Sequence, residues 1–194
     1  TEMFEEALSS KVGSRYTIAM NNGTSTLFSA LLAIGIGKND EVIVPNLTYV
    51  SSVSTILLTG ATPVLVECDD TFNSPPDIVK SAITKKTKAI LGVDMKGMPF
   101  DYDSYLDICN EFGLFLIADS AEALGSSYKG RKIGQIAPIH SFSFFANKNI
   151  TSGEGGAITT SDYRISKILR SIRNQGQGQQ RYIHERLGNN FRFN

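Results

Sequence analysis

The sequence has few of the residues that build metal sites and disulfides. Its 194 residues include two cysteines, Cys68 and Cys109, and two histidines, His140 and His184. The cysteines show neither metal-ligand spacing nor a CxxC motif, and two histidines are too few for a histidine-rich metal centre. We therefore expect no metal site, and two reduced thiols of the kind found in cytoplasmic proteins.

Excess charge and long apolar runs are also missing. Lys plus Arg and Asp plus Glu both number 19, so the formal net charge is zero. A neutral chain does not favour a nucleic-acid partner or an anionic membrane surface. No apolar run approaches the roughly 20 residues of a membrane span, and no signal-peptide pattern is visible. We expect a cytoplasmic protein without a nucleic-acid or membrane partner.

The sequence does contain a regular alternation of short apolar segments and helical segments. Strands are predicted at 16–20, 41–44, 63–67, 88–93 and 114–118, with helices between them at 27–34, 48–58, 76–83 and 102–112. Strands that are apolar on both faces indicate a mostly parallel sheet covered by helices, so we predict a three-layer α/β/α fold. With 41% hydrophobic residues, the chain can build one substantial core.

The pattern changes after Asp119. A turn-rich connection is predicted at 126–136, and two strands, at 141–145 and 157–160, bracket Lys148. An amphipathic helix follows at 163–173, and the polar, glycine-bearing stretch 174–180 predicts a mobile loop.

Lys148 lies between an apolar strand and a glycine-rich turn. A lysine held there is poorly solvated, and desolvation favours the neutral amine, which is a nucleophile. Such an amine can form a Schiff base with an aldehyde cofactor. The alternative is a surface lysine whose side chain extends from the strand end into solvent. The sequence around Lys148, taken alone, favours that alternative.

A second candidate segment, Gly23-Thr24-Ser25, opens a helix directly after a strand. Its amide groups, two hydroxyls and the helix dipole would form an anion site suited to phosphate. Simple capping by Asn22 or Thr24 is the alternative. Neither GxGxxG nor GxxxxGK[ST] occurs at this turn, which disfavours a dinucleotide site or a P-loop.

Four further side chains are candidates at strand ends. Asp119 ends the most apolar strand and needs a partner, such as a protonated pyridine nitrogen, unless it caps the next turn. Glu122, three residues on, is expected near the same cavity. Ser143 would add a phosphate hydroxyl or is an ordinary strand serine. Tyr49 would stack on a planar ring or belongs to the core or rim.

Together these candidates match the parts that pyridoxal phosphate requires. The cofactor needs a phosphate cup, a ring-stacking group, an acid for its pyridinium nitrogen and a lysine. Ligands of open parallel sheets sit at the carboxyl ends of the strands, where these segments fall.

Five segments resemble the DegT/DnrJ/EryC1/StrS family of nucleotide-sugar aminotransferases, and the resemblance extends over nearly the whole chain. They are NGTSTL at 22–27, PNLTY at 45–49, GATPV at 60–64, ADSAEALG at 118–125 and SFSFFANKNITSGEGG at 141–156. The last two are most similar to GDP-perosamine synthase-like members. The resemblance implies the large domain of a fold type I enzyme that depends on pyridoxal 5'-phosphate.

The resemblance also implies roles for single residues. Lys148 would be the Schiff-base lysine and proton shuttle, Asp119 would pair with the pyridinium nitrogen, and Tyr49 would stack on the ring. The phosphate would be held by Gly23, Thr24, Ser25 and Ser143. Glu122 would lie near the cofactor's 3′ oxygen, where many relatives carry Gln or His.

The C-terminal segment 188–192 resembles the family's Gly-x-Asn-x-Arg pattern. Its Asn190 would reach the cofactor phosphate of a neighbouring subunit, which implies a homodimer with shared active sites. His184 and Arg192 would lie near the substrate. We expect residues 1–175 to form the cofactor-binding domain, with an incomplete N-terminus. Residues 176–194 would be a mobile loop leading to a small C-terminal domain outside this chain.

The function implied is transfer of an amino group from L-glutamate to a nucleotide-linked keto-deoxy sugar. A 4-keto-6-deoxyhexose linked to GDP, dTDP or UDP is expected, for surface polysaccharide or glycoside synthesis. One alternative is a sugar dehydratase or lyase of the same fold. Relatives that remove a hydroxyl carry histidine at the position of Lys148, so lysine favours transamination. The other alternative is a truncated, non-catalytic large domain.

Overall fold

A computed structural model describes residues 1–178, 180 and 182–193. Residues 179, 181 and 194, which fall in the segment predicted as a mobile loop, lie outside the described residues. The elements in chain order are α1 (Glu2–Val12), β1 (Tyr16–Met20), α2 (Gly23–Ala33), β2 (Glu41–Pro45), α3 (Val50–Leu58), β3 (Thr62–Val66), α4 (Pro76–Ser81), β4 (Thr87–Val93), α5 (Tyr102–Phe112), β5 (Phe115–Asp119), β6 (Ser127–Tyr128), β7 (Arg131–Lys132), β8 (Ile139–Ser143), β9 (Gly156–Thr160) and α6 (Tyr163–Arg173). A short 3₁₀ turn, Met95–Gly97, follows β4.

Seven strands form one sheet in the order β1-β9-β8-β5-β4-β2-β3. Strands β2, β3, β4, β5 and β8 pair in parallel, whereas β9 runs antiparallel to both of its neighbours, β1 and β8. The mostly parallel sheet predicted from the sequence is confirmed. Its carboxyl edge therefore gathers the ends of β1, β2, β4, β5 and β8 on one side of the molecule.

Helices cover both faces of the sheet, which confirms the three-layer α/β/α prediction. Alternate residues of β4 show this, because successive strand side chains point to opposite faces. Ile90 packs with Tyr105 and Leu116 on the face covered by α1, α4 and α5. Leu91 packs into the hydrophobic cluster on the opposite face of the sheet, which includes residues of α2, α3 and α6.

Several element boundaries differ from those predicted. The connection at 126–136 contains a small hairpin, in which β6 pairs with β7. The strand predicted at 141–145 runs from Ile139 to Ser143, because the chain then turns and the Phe144 amide bonds to the Gly155 carbonyl at 2.8 Å. Ser143 is therefore the last residue of β8, and Lys148 lies in the turn beyond it.

The segment after α6 folds back along the end of that helix. Asn174 forms a bridge with Asn190, and Gln177 forms another with His184. The Asn21 amide donates to the Phe191 carbonyl at 3.0 Å, which brings this segment to the end of β1. Among the described residues no helix is long and apolar enough to cross a membrane.

Candidate active site

A cavity of about 580 Å³ opens at the carboxyl edge of the sheet. Ligand pockets typically occupy roughly 300 to 1,000 Å³, so its size suits a cofactor. Seven residues singled out from the sequence line it, namely Gly23, Thr24, Tyr49, Asp119, Glu122, Ser143 and Lys148. Four others are not among its lining residues, namely Ser25, His184, Asn190 and Arg192.

One end of the cavity is the start of α2. The capping interpretation of this turn is confirmed, because the Ser25 amide donates a 2.8 Å bond to Asn22 Oδ1. Gly23 and Thr24 line the cavity, and their contact with a phosphate stays a prediction. The first amides of a helix have no intrahelical acceptor, so they remain available to an anion. Ser25 itself is buried, and its predicted phosphate contact stays a prediction.

Close approach of two elements shapes this end of the cavity. A side chain at Gly23 would place its Cβ 2.9 Å from Cβ of Ser143, so only glycine lets the end of β8 come this near. Thr24 Oγ1 lies 2.7 Å from Ser51 Oγ and ties α2 to the first turn of α3. The result is a narrow cup that carries backbone amides and the hydroxyls of Thr24 and Ser143.

Asp119 lies at the floor of the cavity as the last residue of β5. Its side chain is buried, Oδ2 accepts a 2.8 Å hydrogen bond from Ser52 Oγ, and Oδ1 accepts a 3.2 Å bond from the Ala121 amide. Burial raises the pKa of Asp119, while the bonds from Ser52 and Ala121 and the charge of Lys148 act in the opposite direction. A cationic ligand atom at this carboxylate would offset the cost of its burial.

Lys148 is not an unconstrained surface lysine. Its side chain is only 18% exposed, and Nζ lies 3.4 Å from Oε1 of Glu122. Oε2 of the same carboxylate accepts a 2.8 Å bond from the Lys96 amide, which fixes its orientation. Glu122 therefore holds the amine at the wall of the cavity, in the region where a carbonyl group of a ligand would have to sit.

Tyr49 lies at the N-terminus of α3 and forms the rim of the cavity. It is 73% exposed, so it does not belong to the core. A large exposed aromatic beside a cavity is suited to stack on a planar ligand.

Polar groups that the sequence analysis missed support the cavity floor. Thr48 Oγ1 lies 2.7 Å from Ser52 Oγ, so a chain of hydroxyls runs from the rim to Asp119. The only sequence signal was the spacing of Thr48 and Ser52, which places both on one side of a helix start.

Asp94 is a second buried carboxyl group in the cavity wall, one residue beyond β4. Its Oδ2 accepts 2.7 Å bonds from Tyr102 and Ser120, whereas its Oδ1 has no hydrogen-bond partner among the described residues. Burial raises the pKa of Asp94 to about 7.

His140 fixes the direction of the hydrogen bonds behind Asp94. Its Nε2 accepts the amides of Ile136 and Ala137, so its proton lies on Nδ1 and is donated to Ser120 Oγ at 3.0 Å. Complete burial lowers the pKa of His140 to about 3, so the ring is neutral. Ser120 must then donate to Asp94, and a proton bound by Asp94 must lie on the unpartnered Oδ1.

The C-terminal candidates do not line the cavity. His184 Nδ1 lies 2.7 Å from the Gln175 carbonyl, and Asn190 Oδ1 accepts a 2.9 Å bond from Arg192 Nε. All three side chains belong to exposed residues, so their predicted contacts with substrate or with a neighbouring subunit stay predictions.

The sequence model of the DegT/DnrJ/EryC1/StrS aminotransferase family matches residues 1–194. The chain belongs to this family. The resemblance seen in the sequence motifs is thereby confirmed.

Relatives with curated functions include two sugar-nucleotide enzymes. The GDP-perosamine synthase of Caulobacter vibrioides is 44% identical over 192 residues, which cover 98% of this chain and 52% of the relative. The UDP-2-acetamido-2-deoxy-3-oxo-D-glucuronate aminotransferase of Pseudomonas aeruginosa is 39% identical, covering 97% of this chain and 53% of the relative. The chain thus spans about half the length of the curated relatives it matches.

Solved structures of the family share the fold. The PLP form of the sugar aminotransferase Spr1654 from Streptococcus pneumoniae superposes with a TM-score of 0.89 at 34% identity, covering 97% of this chain and 54% of that one.

Proposed function

We propose that this chain forms the cofactor-binding half of an aminotransferase that uses pyridoxal 5'-phosphate and aminates a nucleotide-linked keto-deoxy sugar, with L-glutamate as donor. One observation carries the proposal. The amine of Lys148, the buried carboxylate of Asp119 and the cup at Gly23, Thr24 and Ser143 line a single cavity of fitting size. Family membership and the functions of the relatives favour a sugar nucleotide as acceptor.

The residues present fit the cofactor. Its phosphate belongs in the cup at the start of α2, where amides and hydroxyls meet the positive end of the helix dipole. Its ring nitrogen belongs at Asp119, whose buried carboxylate stabilises a proton there. Tyr49 would hold the ring from the rim, and Lys148 would supply the amine for its aldehyde group. When bound, the cofactor supplies an aldehyde that takes up amines and a ring that accepts electrons released at the neighbouring carbon.

Each protein group then has a distinct task. Lys148 Nζ would move a proton between the reacting carbon of the amino acid or sugar and the cofactor carbon. This transfer requires an amine near the reacting atoms. Glu122 holds that amine through the 3.4 Å pair while its other oxygen is fixed by the Lys96 amide. Ser52 and the Ala121 amide hold Asp119 in place, so the carboxylate does not reorient during turnover.

The sugar is proposed to be a 4-keto-6-deoxyhexose linked to GDP, with UDP or dTDP as the other carriers, destined for a surface polysaccharide. The proposal includes a cytoplasmic homodimer with shared sites. Asn190 supports that arrangement, because it is exposed, lies outside this chain's own cavity, and belongs to the segment that returns to the end of β1.

The test uses the full-length protein incubated with pyridoxal 5'-phosphate. We expect a visible absorbance band, as for a conjugated imine of the cofactor. Borohydride should fix the cofactor to Lys148, as detected by peptide mass spectrometry. L-Glutamate should bleach the band and release 2-oxoglutarate, and a GDP-linked 4-keto-6-deoxy sugar should restore it. Lys148→Arg keeps the charge but should abolish the band, its fixation by borohydride and both of its changes with substrate. Fixation at another lysine, or a band that L-glutamate and other amino acids leave unchanged, would refute the proposal.

A further inference from the structure

A second cavity opens beside Lys148. It has a volume of about 350 Å³ and shares Glu122, Asn147 and Lys148 with the main cavity. The remaining side chains that line it are polar, namely Lys96, Ser126 and Asn149. We call this second cavity the Lys96 recess. Because the two cavities share Glu122, Asn147 and Lys148, the recess adjoins the main cavity on the side of Lys148, where a substrate must meet that amine.

Lys96 is held in an unusual backbone conformation at the edge of this recess. Its φ of 54° lies in the left-handed region, which is uncommon for residues other than glycine and costs free energy. The 2.8 Å bond from its amide to Glu122 Oε2 stabilises this conformation. The side chain extends over Phe72, with Nζ 4.1 Å from the ring centroid. Thus the carboxylate that holds Lys148 also positions Lys96.

One cationic side chain that lines the two cavities, Lys96, has no carboxylate partner among the described residues and is available to a substrate. Among the described residues that line them, the acidic groups are Asp94, Asp119, Glu122 and Glu154, and the cationic groups are Lys96 and Lys148. Lys148 is paired with Glu122, whereas no carboxylate pairs with Lys96 in the described part of the chain. An anionic group of the substrate would find its counter-charge at Lys96.

We propose that the Lys96 recess binds the diphosphate of the nucleotide-linked substrate. This inference rests on the proposed function. With the cofactor phosphate at the start of α2 and the ring nitrogen at Asp119, the reacting sugar carbon must lie at Lys148. The rest of the substrate must leave the main cavity there, and the recess is the adjoining opening. An ammonium group is a mobile point charge suited to phosphate, and the amides of Asn147 and Asn149 add donors.

The carboxylates of the amino donor are a second source of the same negative charge. A donor such as L-glutamate reacts at the same amine, so its side chain would enter the same recess. The experiment must therefore measure the nucleotide and the donor separately.

The test measures binding of GDP and UDP by calorimetry to the full-length protein loaded with pyridoxal phosphate. Lys96→Met removes the charge but keeps an unbranched stem over Phe72, and Lys96→Arg keeps the charge. Lys88→Met is the control, because Lys88 is exposed at the opposite end of β4. We expect Lys96→Met to weaken nucleoside diphosphate binding about tenfold, as for loss of one charged hydrogen bond. Lys96→Arg should retain most of the affinity, and Lys88→Met all of it.

The concentration dependence of bleaching by L-glutamate is measured in parallel. Nucleotide affinity that is equal in wild type and Lys96→Met would overturn the inference. So would a loss that falls on L-glutamate and spares the nucleotides, because the recess would then hold the donor. If wild type binds nucleotides through Lys96 but shows no amino transfer, the proposed function fails while the diphosphate site stands.

Discussion

Ser52 Oγ donates a 2.8 Å hydrogen bond to Oδ2 of Asp119, and this bond joins the first turn of α3 to the end of β5. Both side chains are buried. Ser52 lowers the pKa of Asp119 against the larger effect of burial, which raises it. The serine therefore helps to keep Asp119 ionised, the state in which it would stabilise a protonated ring nitrogen.

Replacing Ser52 by alanine tests this relationship. Ser52→Ala leaves one carboxylate oxygen without its buried donor, and such losses cost about 1.5–3 kcal/mol. We expect a lower free energy of unfolding by that amount in urea titrations near neutral pH. We also expect weaker cofactor binding by equilibrium dialysis, because the pKa of Asp119 rises further. Thr48→Ala removes only the hydroxyl that contacts Ser52, so it should lower stability and cofactor affinity less than Ser52→Ala does. An equal or larger loss for Thr48→Ala would contradict the role assigned to Ser52.

The pair formed by Lys148 and Glu122 leads to a second prediction. Glu122 is 43% exposed, so Glu122→Gln should change the free energy of unfolding by less than about 1 kcal/mol. The neutral amide weakens the 3.4 Å contact that holds Nζ at the cavity wall, so the Lys148 amine should be less restrained and react faster with trinitrobenzene sulfonate at a fixed pH. Peptide mass spectrometry of the cofactor-free protein measures this rate.

A surface pair provides the control for that experiment. Glu111 pairs with Lys80 at 2.8 Å far from the cavity, with both side chains about half exposed. Glu111→Gln should leave the labelling of Lys148 unchanged. If Glu122→Gln leaves it unchanged as well, the pair does not restrain the amine.

The contact between Gly23 and Ser143 leads to a third prediction. Gly23→Ala would place Cβ 2.9 Å from Cβ of Ser143, and overpacking of this kind costs about 1–3 kcal/mol. We expect a tenfold or larger loss of affinity for pyridoxal phosphate, since the cup must widen. The double variant Gly23→Ala with Ser143→Gly should remove the steric contact and regain part of the cofactor affinity. The part that the Ser143 hydroxyl contributes should stay lost. Gly37→Ala, whose Cβ meets only the Thr59 carbonyl at 3.9 Å, should bind the cofactor normally. A normal affinity for Gly23→Ala would show that the cup is not tight.

The parallel sheet explains why much of this site was predictable. Asp119 and Ser143 end the parallel strands β5 and β8, and Gly23 follows β1, which runs in the same direction at the edge of the sheet, so all three lie at the same carboxyl edge. Identifying strands from their apolar runs was therefore enough to bring these residues together, with Lys148 in the following turn. Errors of one or two residues in the predicted strand bounds leave this conclusion unchanged, because the strands that carry these residues all end at the same edge.

The supporting groups were not predictable in the same way. Ser52 reaches Asp119 across 67 residues of sequence, and His140 reaches Asp94 only through Ser120. These contacts depend on how α3 packs on the sheet and on side-chain orientation, which periodicity does not report. The hairpin of β6 and β7 was missed for a related reason: two-residue strands have no period to detect.

Asp94 provides the last prediction, which concerns the pH dependence of stability. Burial raises the pKa of Asp94 from its usual value near 3.8 to about 7 in the folded protein. The folded state then binds more protons than the unfolded state between these values. The stability that Asp94 contributes is therefore full below the unfolded pKa and is lost as the pH rises to 7. At 1.36 kcal/mol per unit, the loss from this group is about 4 kcal/mol.

Asp94→Asn removes this titration, because an amide does not ionise. Its oxygen still accepts from Tyr102 and Ser120, and its amide takes the place of the unpartnered Oδ1. We expect the variant to lose less stability than wild type between pH 4.5 and 8, by about 3 kcal/mol in urea unfolding at a series of pH values, because part of the titration lies below pH 4.5. Asp107→Asn, at an exposed carboxyl on α5, should keep the wild-type slope. If Asp94→Asn also keeps it, Asp94 is ionised throughout this range, and its unpartnered Oδ1 must be stabilised in another way.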